Sequence, residues 1–233
     1  MEGQETSMRP AMDAPSNMKF WRAQLEYLIG IASGDGTFKV ISYFDEGKGT
    51  RDQMKYMFAS DIHGSAWYCR RLLEEYRRSG ADRLILLGDI LYHGPRNDLP
   101  KEYAPKEVIA MLNAIKSEII AVRGNCEAEV DQMVLEFPVM ADYGFLVLNG
   151  LTFYATHGHV YHPENLPPMK KGDILIYGHT HLLRAETFGD YYVVNPGSVS
   201  IPKGGNPATY GILEEKVFKI LDFEGNTVKT LTF

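Results

Sequence analysis

Three short, continuously apolar segments separated by helical patterns constrain the fold of this chain most. The apolar segments span residues 56–59, 84–87 and 119–122, and the helical patterns span residues 66–79 and 105–116. Gly80 is placed to cap the first helix, and Pro105 stands at the first turn of the second. Strands that are apolar throughout are typical of a parallel sheet buried on both faces. The sequence therefore predicts an α/β domain with right-handed crossovers that starts near Met54.

The second half of the chain predicts a second sheet. Apolar segments at residues 145–148 and 151–155 flank Asn149-Gly150, which is a strong signal for a two-residue hairpin. Further strand patterns follow at residues 174–177, 191–194, 210–213 and 217–223, with few helices between them. Two mixed sheets that face each other, with helices on the outside, give an α/β fold of the four-layer αββα sandwich type.

The first 53 residues do not continue this pattern. Residues 1–17 are polar and predict a tail, residues 20–31 predict a short amphipathic helix, and residues 38–44 predict a strand. We expect an N-terminal extension over residues 1–53, which is a tag, a start-site artefact or a small appendage. One domain over residues 54–233 is expected to follow it.

The composition limits which binding partners and which cellular location can be expected for this chain. A formal net charge of −6 argues against an extended nucleic-acid surface. No apolar run approaches the roughly 20 residues that span a bilayer. Two cysteines cannot form a disulfide framework, so a reducing, cytoplasmic location is expected. Aromatic residues near predicted loops, Trp67, Tyr92 and Tyr161, leave self-association open.

Five short polar clusters follow the predicted strands. They are Asp61-Ile62-His63, Gly88-Asp89, Gly124-Asn125, His157-Gly158-His159 and Gly178-His179-Thr180-His181. Because ligands bind outside the carboxyl ends of parallel strands, these side chains are expected at one edge of the fold. A single Asp or His there is more often a cap or turn former, but this combined set of carboxylate, amide and imidazole groups suits divalent metals such as Mn²⁺, Fe or Zn²⁺. The absence of a Cys-x-x-Cys pair excludes an ordinary structural zinc site.

The ordered set of clusters resembles the calcineurin-like metallophosphoesterases, and most closely the small bacterial phosphodiesterases of the YfcE type. Residues 58–65, 94–97, 122–126 and 195–200 carry the resemblance, which covers about residues 54–233. It implies a binuclear metal-dependent phosphodiesterase, in which a metal-bridging hydroxide attacks a small-molecule phosphodiester. A phosphomonoesterase, including a protein phosphatase, and a non-catalytic scaffold that retains the fold are the alternatives.

Position by position, the resemblance implies two metal ions that share Asp89. The first would be held by Asp61, His63, Asp89 and His181, and the second by Asp89, Asn125, His157 and His179. Mn²⁺ is the expected ion, with Zn²⁺, Fe, Ni²⁺ and Mg²⁺ as alternatives. Asp89, Asn125 and His157 are also candidates for catalytic residues.

Cys126 departs from the family pattern. Many relatives carry a histidine after Gly-Asn, where it is placed to protonate the leaving group. A thiol is a poorer general acid, because its ordinary pKa of about 8.5 lies above that of imidazole and it hydrogen-bonds weakly. Cys126 lacks the ordered base that a nucleophile needs. It is therefore interpreted as a site-lining or weakly acidic catalytic residue, and diesters with acidic leaving groups are expected to react faster.

Three further residues are candidates for substrate contacts. Arg96 and Arg123 either bind phosphate through paired N–H groups or form salt bridges with neighbouring acids. His159 either contacts phosphate or hydrogen-bonds its own turn. Lys203, next to Gly204 and Gly205, is interpreted as a turn residue.

Overall fold

The structure is a computed structural model that describes residues 29–32, 38–41 and 53–233, with backbone alone for the first two ranges. In chain order the strands are β1 (Ile29–Ala32), β2 (Phe38–Ile41), β3 (Lys55–Ala59), β4 (Arg83–Leu86), β5 (Ile119–Ala121), β6 (Tyr143–Leu148), β7 (Leu151–Thr156), β8 (Ile174–Ile176), β9 (Arg184–Phe188), β10 (Tyr191–Asn195), β11 (Thr209–Glu214), β12 (Val217–Asp222) and β13 (Thr227–Thr232). The α-helices are α1 (Ala66–Ser79), α2 (Pro105–Asn113) and α3 (Glu129–Val134), and a 3₁₀ turn spans Lys116–Glu118.

These strands form two mixed sheets. One has the order β13-β12-β11-β3-β4-β5, and the other has the order β2-β1-β6-β7-β8-β10-β9. Strands β3, β4 and β5 run parallel to one another, as do β7, β8 and β10. Each sheet therefore brings the carboxyl ends of a parallel set to one edge.

Alternating side chains of the six-stranded sheet divide the core into two layers. Met57 and Leu84 face the apolar side of α1 and α2. Phe58 and Ile85 point the other way and pack against the inner face of the seven-stranded sheet, where Phe58 stacks on Phe153 with ring centroids 5.9 Å apart. Because the two inner faces are closely packed, the strand ends of both sheets are held at fixed positions.

The outer face of the seven-stranded sheet is covered differently. Leu175 and Val193 on this face contact Leu166 and Met169, which come from the loop between β7 and β8. In the described part of the chain, the helices α1 and α2 cover the six-stranded sheet. The prediction of an α/β fold built from two mixed sheets is confirmed.

Several local predictions are confirmed. Gly80 caps α1 in the left-handed conformation, with φ of 66°, and Pro105 is the first residue of α2. Asn149 and Gly150 both have positive φ and join β6 to β7 as a two-residue hairpin. This turn requires left-handed backbone at both positions, which Asn and Gly accept most readily.

The N-terminal helix prediction is wrong where it can be compared with the structure. Residues 29–32 form β1, which pairs antiparallel with β2 and with β6, and residues 20–28 lie outside the described residues. The strand predicted over residues 38–44 is present as β2 and ends at Ile41 within the described range. The division between an extension and a domain at residue 53 stays a prediction.

Candidate metal centre

The five polar clusters lie on turns that directly follow strands. Asp61 follows β3, Asp89 follows β4, His157 follows β7 and His179 follows β8. Of the eight non-glycine residues with positive φ in the described part of the chain, five are predicted metal ligands: Asp61, His63, Asp89, His179 and His181. A left-handed backbone costs a non-glycine residue roughly 1–2 kcal/mol. Such strain collects at functional sites, because the turn must aim a side chain inwards.

The first group consists of Asp61, His63 and His181, which are all buried. Asp61 Oδ1 lies 3.2 Å from His181 Nε2 and 3.5 Å from His63 Nε2. The Nδ1–H groups of His63 and His181 donate to the backbone oxygens of Tyr92 and Ile201, each at 2.7 Å. A carbonyl only accepts, so each Nδ1 carries a proton, and in the neutral imidazole the Nε2 lone pair faces Asp61.

The second group consists of Asp89, His157 and His179. Asp89 Oδ2 lies 3.4 Å from His157 Nε2, and His157 Nδ1–H donates to the backbone oxygen of Leu87 at 2.6 Å. Asn125 is exposed, but its Oδ1 lies 3.1 Å from the same Nε2. The second group therefore combines carboxylate, imidazole and amide donors around one point.

Asp89 lies between the two groups. Its Oδ2, which faces His157, is also 3.7 Å from His63 Nε2 in the first group. Its other oxygen, Oδ1, accepts a hydrogen bond from the backbone N–H of Cys126 at 2.9 Å. One carboxylate oxygen therefore faces both groups, while the other fixes the orientation of the carboxylate.

The donor atoms of the first group fit a divalent cation. Asp61 Oδ1 is buried and has no hydrogen-bond partner. The Nε2 atoms of His63 and His181 are 3.3 Å apart, and both present lone pairs when Nδ1 carries the proton. Three acceptors in contact repel one another unless a cation lies between them, and imidazole oriented by a carbonyl is the usual form of a metal-binding histidine.

The pKa values of these groups reflect the same electrostatic arrangement. Burial alone would raise the pKa of Asp61, but the imidazoles of His181 and His63, when protonated, outweigh it and hold that pKa well below its usual range. Burial lowers the pKa of His157, whereas Asp89 and Asp61 raise it, with a net value of about 9. The carboxylates therefore attract positive charge, which a metal ion would supply.

His179 differs from the other histidines of the site. Burial and the neighbouring imidazole of His157 lower its pKa to about 4. It is therefore neutral at pH 7, which is the form that binds metal. The ring centroids of His157 and His179 are 5.0 Å apart.

Two clefts meet at this cluster. The first has a volume of about 420 Å³ and is lined by Asp89, Gly94, Pro95, Arg96, Asn97, Asn125, Cys126, His179, Thr180, His181 and Lys203. The second has a volume of about 590 Å³ and is lined by Gly158, His159, His162, Pro163, Glu164, Tyr177, His179, Thr180, Leu182, Leu183 and Arg184. Because His179 and Thr180 line both clefts, a molecule bound at the candidate metal ligands would have space on two sides.

Residues 54–217 match the family model described as the calcineurin-like phosphoesterase superfamily domain. The chain belongs to this superfamily. Phosphodiesterase YfcE of Escherichia coli is 51% identical over 175 residues, which are 75% of this chain and 95% of that protein. Phosphodiesterase MJ0936 of Methanocaldococcus jannaschii is 29% identical over 170 residues, which are 69% of this chain and 93% of that protein. The predicted resemblance is confirmed.

Solved structures agree with this membership. A structure of the phosphoesterase YfcE from E. coli has a TM-score of 0.76 and 50% identity, covering 77% of this chain and 99% of that chain. Vacuolar Protein Sorting 29 from Cryptosporidium parvum has a TM-score of 0.53 at 16% identity, covering 78% of this chain and 99% of that chain. The second likeness shows the fold alone.

The predicted substrate contacts of this phosphoesterase lie at different places. Arg96 is exposed and lines the first cleft, and His159 lines the second. Arg123 lines neither cleft, and its Nη2 donates to the backbone oxygen of Glu127 at 3.3 Å. The two clefts therefore bring Arg96 and His159, but not Arg123, towards the candidate metal ligands.

Cys126 lies beside the candidate metal ligands in the first cleft. Its Sγ is within 4.8 Å of ligand atoms of His63 and Asp89. Burial, followed by the charge of Asp89, raises the pKa of the thiol well above its usual range. The thiol is therefore protonated at pH 7, which agrees with a weakly acidic or site-lining residue.

Sequence reasoning missed the supporting role of Glu127. This residue is buried, and its Oε2 accepts a hydrogen bond from the N–H of Asp89 at 2.9 Å while its Oε1 accepts one from Ile90 at 2.7 Å. Oε2 also accepts from the N–H of Gly124, which precedes Asn125. Glu127 thereby joins two ligand-bearing turns. Its position directly after Cys126, two residues beyond the Gly-Asn motif, was the only signal in the sequence.

Sequence reasoning also missed the position of Lys203. The prediction of a turn holds, since Gly204 and Gly205 have φ of 67° and 74°. The same lysine lines the first cleft together with Arg96.

None of the helices in the described part of the chain combines the length and the hydropathy needed to cross a membrane.

Proposed function

We propose that this chain is a phosphodiesterase that uses two divalent ions to hydrolyse small-molecule phosphodiesters. The observation that carries the proposal is the position of Asp89 Oδ2, which faces His157 at 3.4 Å and His63 at 3.7 Å. Two ions about 3.5–4 Å apart need a shared ligand of this kind. The names of the relatives YfcE and MJ0936, both phosphodiesterases, support the same activity.

The proposed ligand sets follow the two groups. Asp61, His63, Asp89 and His181 would hold one ion, and Asp89, Asn125, His157 and His179 would hold the other. When bound, the two ions supply a hydroxide for in-line attack and neutralise charge that develops on the phosphoryl oxygens. Mn²⁺ is the proposed ion, because carboxylate, amide and imidazole donors suit it and no thiolate pair selects a softer metal.

The residues of the chain hold and orient these groups. Tyr92, Leu87 and Ile201 fix the Nδ1 protons of three histidines through their carbonyl oxygens, so each Nε2 faces the site and would be free to bind a metal ion in place of a proton. The clefts on either side of His179 leave room for the two ester groups of a diester. This two-sided space favours a diester over a monoester.

Protonation of the leaving group is the weak point of the site. Burial and the neighbouring imidazole of His157 lower the pKa of His159, so that histidine is neutral at pH 7. Cys126 carries a proton, but its raised pKa makes it a poor acid. Diesters whose leaving groups need no proton are therefore the proposed best substrates.

A cytoplasmic location is also proposed, because reducing conditions keep the two cysteines free.

The test is metal-dependent hydrolysis of bis(p-nitrophenyl) phosphate. Chelated protein should be inactive, Mn²⁺ should restore activity with two ions bound per chain, and Asp89→Ala and Asp89→Asn should both abolish it. Asp98→Ala, which changes an exposed carboxylate on the same loop, is the matched control. Circular dichroism checks that each variant is folded.

Three results would separate the alternatives. Full activity in metal-loaded Asp89→Ala would contradict the proposed site. Faster hydrolysis of p-nitrophenyl phosphate than of the diester would favour a phosphomonoesterase. Metal binding without hydrolysis of either ester would favour a non-catalytic scaffold.

A further inference from the structure

Two cationic side chains line the first cleft, beside the proposed metal ligands, without acidic partners. Arg96 and Lys203 are both exposed, and neither forms an ion pair with a residue that the structure describes. Among the residues that line this cleft, Asp89 is the one acid, and it is a proposed metal ligand. The walls of the first cleft therefore carry an excess of positive charge.

Each cation stands on a turn that is tied to the site. The backbone N–H of Lys203 donates to the oxygen of the proposed ligand His181 at 3.1 Å, and its own carbonyl accepts from Asn206 Nδ2 at 2.8 Å. Arg96 precedes Asn97, whose Nδ2 donates to the backbone oxygen of His93 at 2.8 Å. The backbone next to each cation is thereby held in place beside the cleft.

The reacting phosphate does not account for this charge. Two divalent ions would bring four positive charges to ligand sets that contain two carboxylates, Asp61 and Asp89. A phosphodiester carries one negative charge, which the excess at the ions already attracts. Five of the seven proposed metal ligands, namely Asp61, His63, Asp89, His157 and His181, are also buried, whereas Arg96 and Lys203 are exposed along the cleft. Their charges therefore face groups beyond the reacting phosphate.

The second cleft has a different character. Its cation, Arg184, is paired with Glu186 at 2.8 Å, and its His162 is paired with Glu164 at 2.9 Å. Leu182 and other apolar side chains contribute to its lining. Since the charges there are already matched, this side of the site suits a neutral, partly apolar group.

We infer that Arg96 and Lys203 bind a second anionic group, so that the preferred substrates are phosphodiesters that carry a further phosphate on one ester arm. The inference rests on the proposed phosphodiesterase function and names its substrate class. It makes Lys203 a residue that determines specificity through direct contact with the substrate.

The test compares two probes that differ by a single phosphate. They are thymidine 5′-(p-nitrophenyl phosphate) and the same ester with a 3′-phosphate, and released nitrophenol reports only cleavage of the diester. The quantity measured is the ratio of their kcat/KM values, because a general loss of activity cancels in this ratio. Wild type is compared with Lys203→Met and with the matched control Lys219→Met, which changes an exposed lysine on β12 that lines neither cleft.

We expect the 3′-phosphorylated probe to be favoured about tenfold in wild type, since one charge-assisted contact gives a factor of about ten or more. The ratio should fall to about two or less in Lys203→Met and stay unchanged in Lys219→Met. A wild-type ratio near one, or the same ratio in Lys203→Met, would overturn the inference while the phosphodiesterase function stands.

A binding measurement keeps the inference testable if no diester is hydrolysed. Titration calorimetry on the Mn²⁺-loaded protein compares thymidine 3′,5′-bisphosphate with thymidine 5′-monophosphate. About tenfold tighter binding of the bisphosphate in wild type, lost in Lys203→Met, would support the cationic arm even if the proposed hydrolysis failed. Equal affinities would overturn it.

Discussion

Replacing Glu127 removes a buried carboxylate that joins two ligand-bearing turns. Its oxygens accept hydrogen bonds from the N–H groups of Asp89, Ile90 and Gly124. Glu127→Ala leaves these three donors unpaired at a position where the side chain is only 4% exposed. We expect the substitution to loosen the turns that carry Asp89 and Asn125 relative to each other.

The size of the effect follows from two opposing contributions. Three charge-assisted hydrogen bonds of about 1.5–3 kcal/mol each would sum to more than 4 kcal/mol. Against this, burial and the charge of Asp89 raise the pKa of Glu127, so the carboxylate is itself unfavourably placed when ionised. Removing it relieves that repulsion. We therefore expect a net loss of about 3 kcal/mol in the free energy of unfolding, at the lower end of the range for a broken buried interaction.

Glu127→Gln separates the hydrogen bonds from the charge. Its single amide oxygen can take the place of Oε2 and keep the N–H groups of Asp89 and Gly124, while its NH₂ group faces the N–H of Ile90. One donor is lost and the repulsion from Asp89 is relieved, so the expected cost is about 1–2 kcal/mol. The exposed neighbour Glu129→Ala is the matched control and should change little.

The assay is urea unfolding of the chelated protein followed by circular dichroism, with midpoints compared at constant slope. Competition with a chromophoric chelator gives the metal affinity, which we expect to fall about 10–100-fold in Glu127→Ala, as for other residues that orient ligands. If Glu127→Ala and Glu129→Ala unfold at the same urea concentration and bind metal equally well, Glu127 does not hold the turns.

Three further predictions concern the same site. Gly178→Ala should lower the free energy of unfolding by about 1–3 kcal/mol and weaken metal binding, because a Cβ at residue 178 would lie 2.8 Å from the Cβ of Ser60. Gly144→Ala is the control, because its added Cβ would make ordinary van der Waals contacts. Equal losses of stability in the two variants would exclude the steric cause. Aryl diesters should react faster as the pKa of the leaving phenol falls, because Cys126 is a weak acid; a flat dependence would contradict this. Burial lowers the pKa of His157, but neighbouring carboxylates outweigh it and raise it to about 9. In the chelated protein, protonated His157 should stabilise the folded state by at most about 3 kcal/mol. This stabilisation should be fully present below pH 6.5 and should be lost as the pH rises through about 9. A urea midpoint that does not change over this pH range would contradict the prediction.

The fold could be predicted where local sequence signals and burial agree. The apolar strands β3, β4 and β5 and the Asn149-Gly150 hairpin were of this kind, because a parallel buried strand and a two-residue turn each require particular residues. The strand β1 could not be predicted from local signals, because it pairs with β6, whose residues are more than a hundred positions away. The short helix α3 was missed because its six residues make fewer than two turns, so an apolar helical pattern cannot repeat within it.

The grouping of the candidate metal ligands could be predicted because their clusters follow strands whose direction was known. Supporting residues give no such pattern. Glu127 acts through backbone N–H groups 37 and 38 positions away, and no residue type marks their location in the sequence. The sequence also could not predict where the side chain of Arg123 lies. Its place next to the Gly-Asn motif suggested a phosphate contact, but its guanidinium donates to the backbone oxygen of Glu127.

The stretch of residues 195–200 shows why the family resemblance extends beyond the ligands. It contributes no metal ligand, yet the hydroxyls of Ser198 and Ser200 donate to the backbone oxygen of Asp61 at 3.0 and 2.9 Å. Asn195 Nδ2 donates to the oxygen of Gly178 at 2.8 Å, directly before His179. These bonds hold ligands whose backbone is left-handed and therefore strained.

Strain and support have to occur together in such a site. The left-handed backbone strains each of the five candidate ligands by roughly 1 kcal/mol or more. If their turns were free, the backbone would relax to an ordinary conformation, and the Nε2 and carboxylate atoms would move apart. The surrounding hydrogen bonds prevent this before any metal arrives, so the cation meets donors that are already oriented. Substitutions in residues 195–200 should therefore change metal affinity without touching the metal.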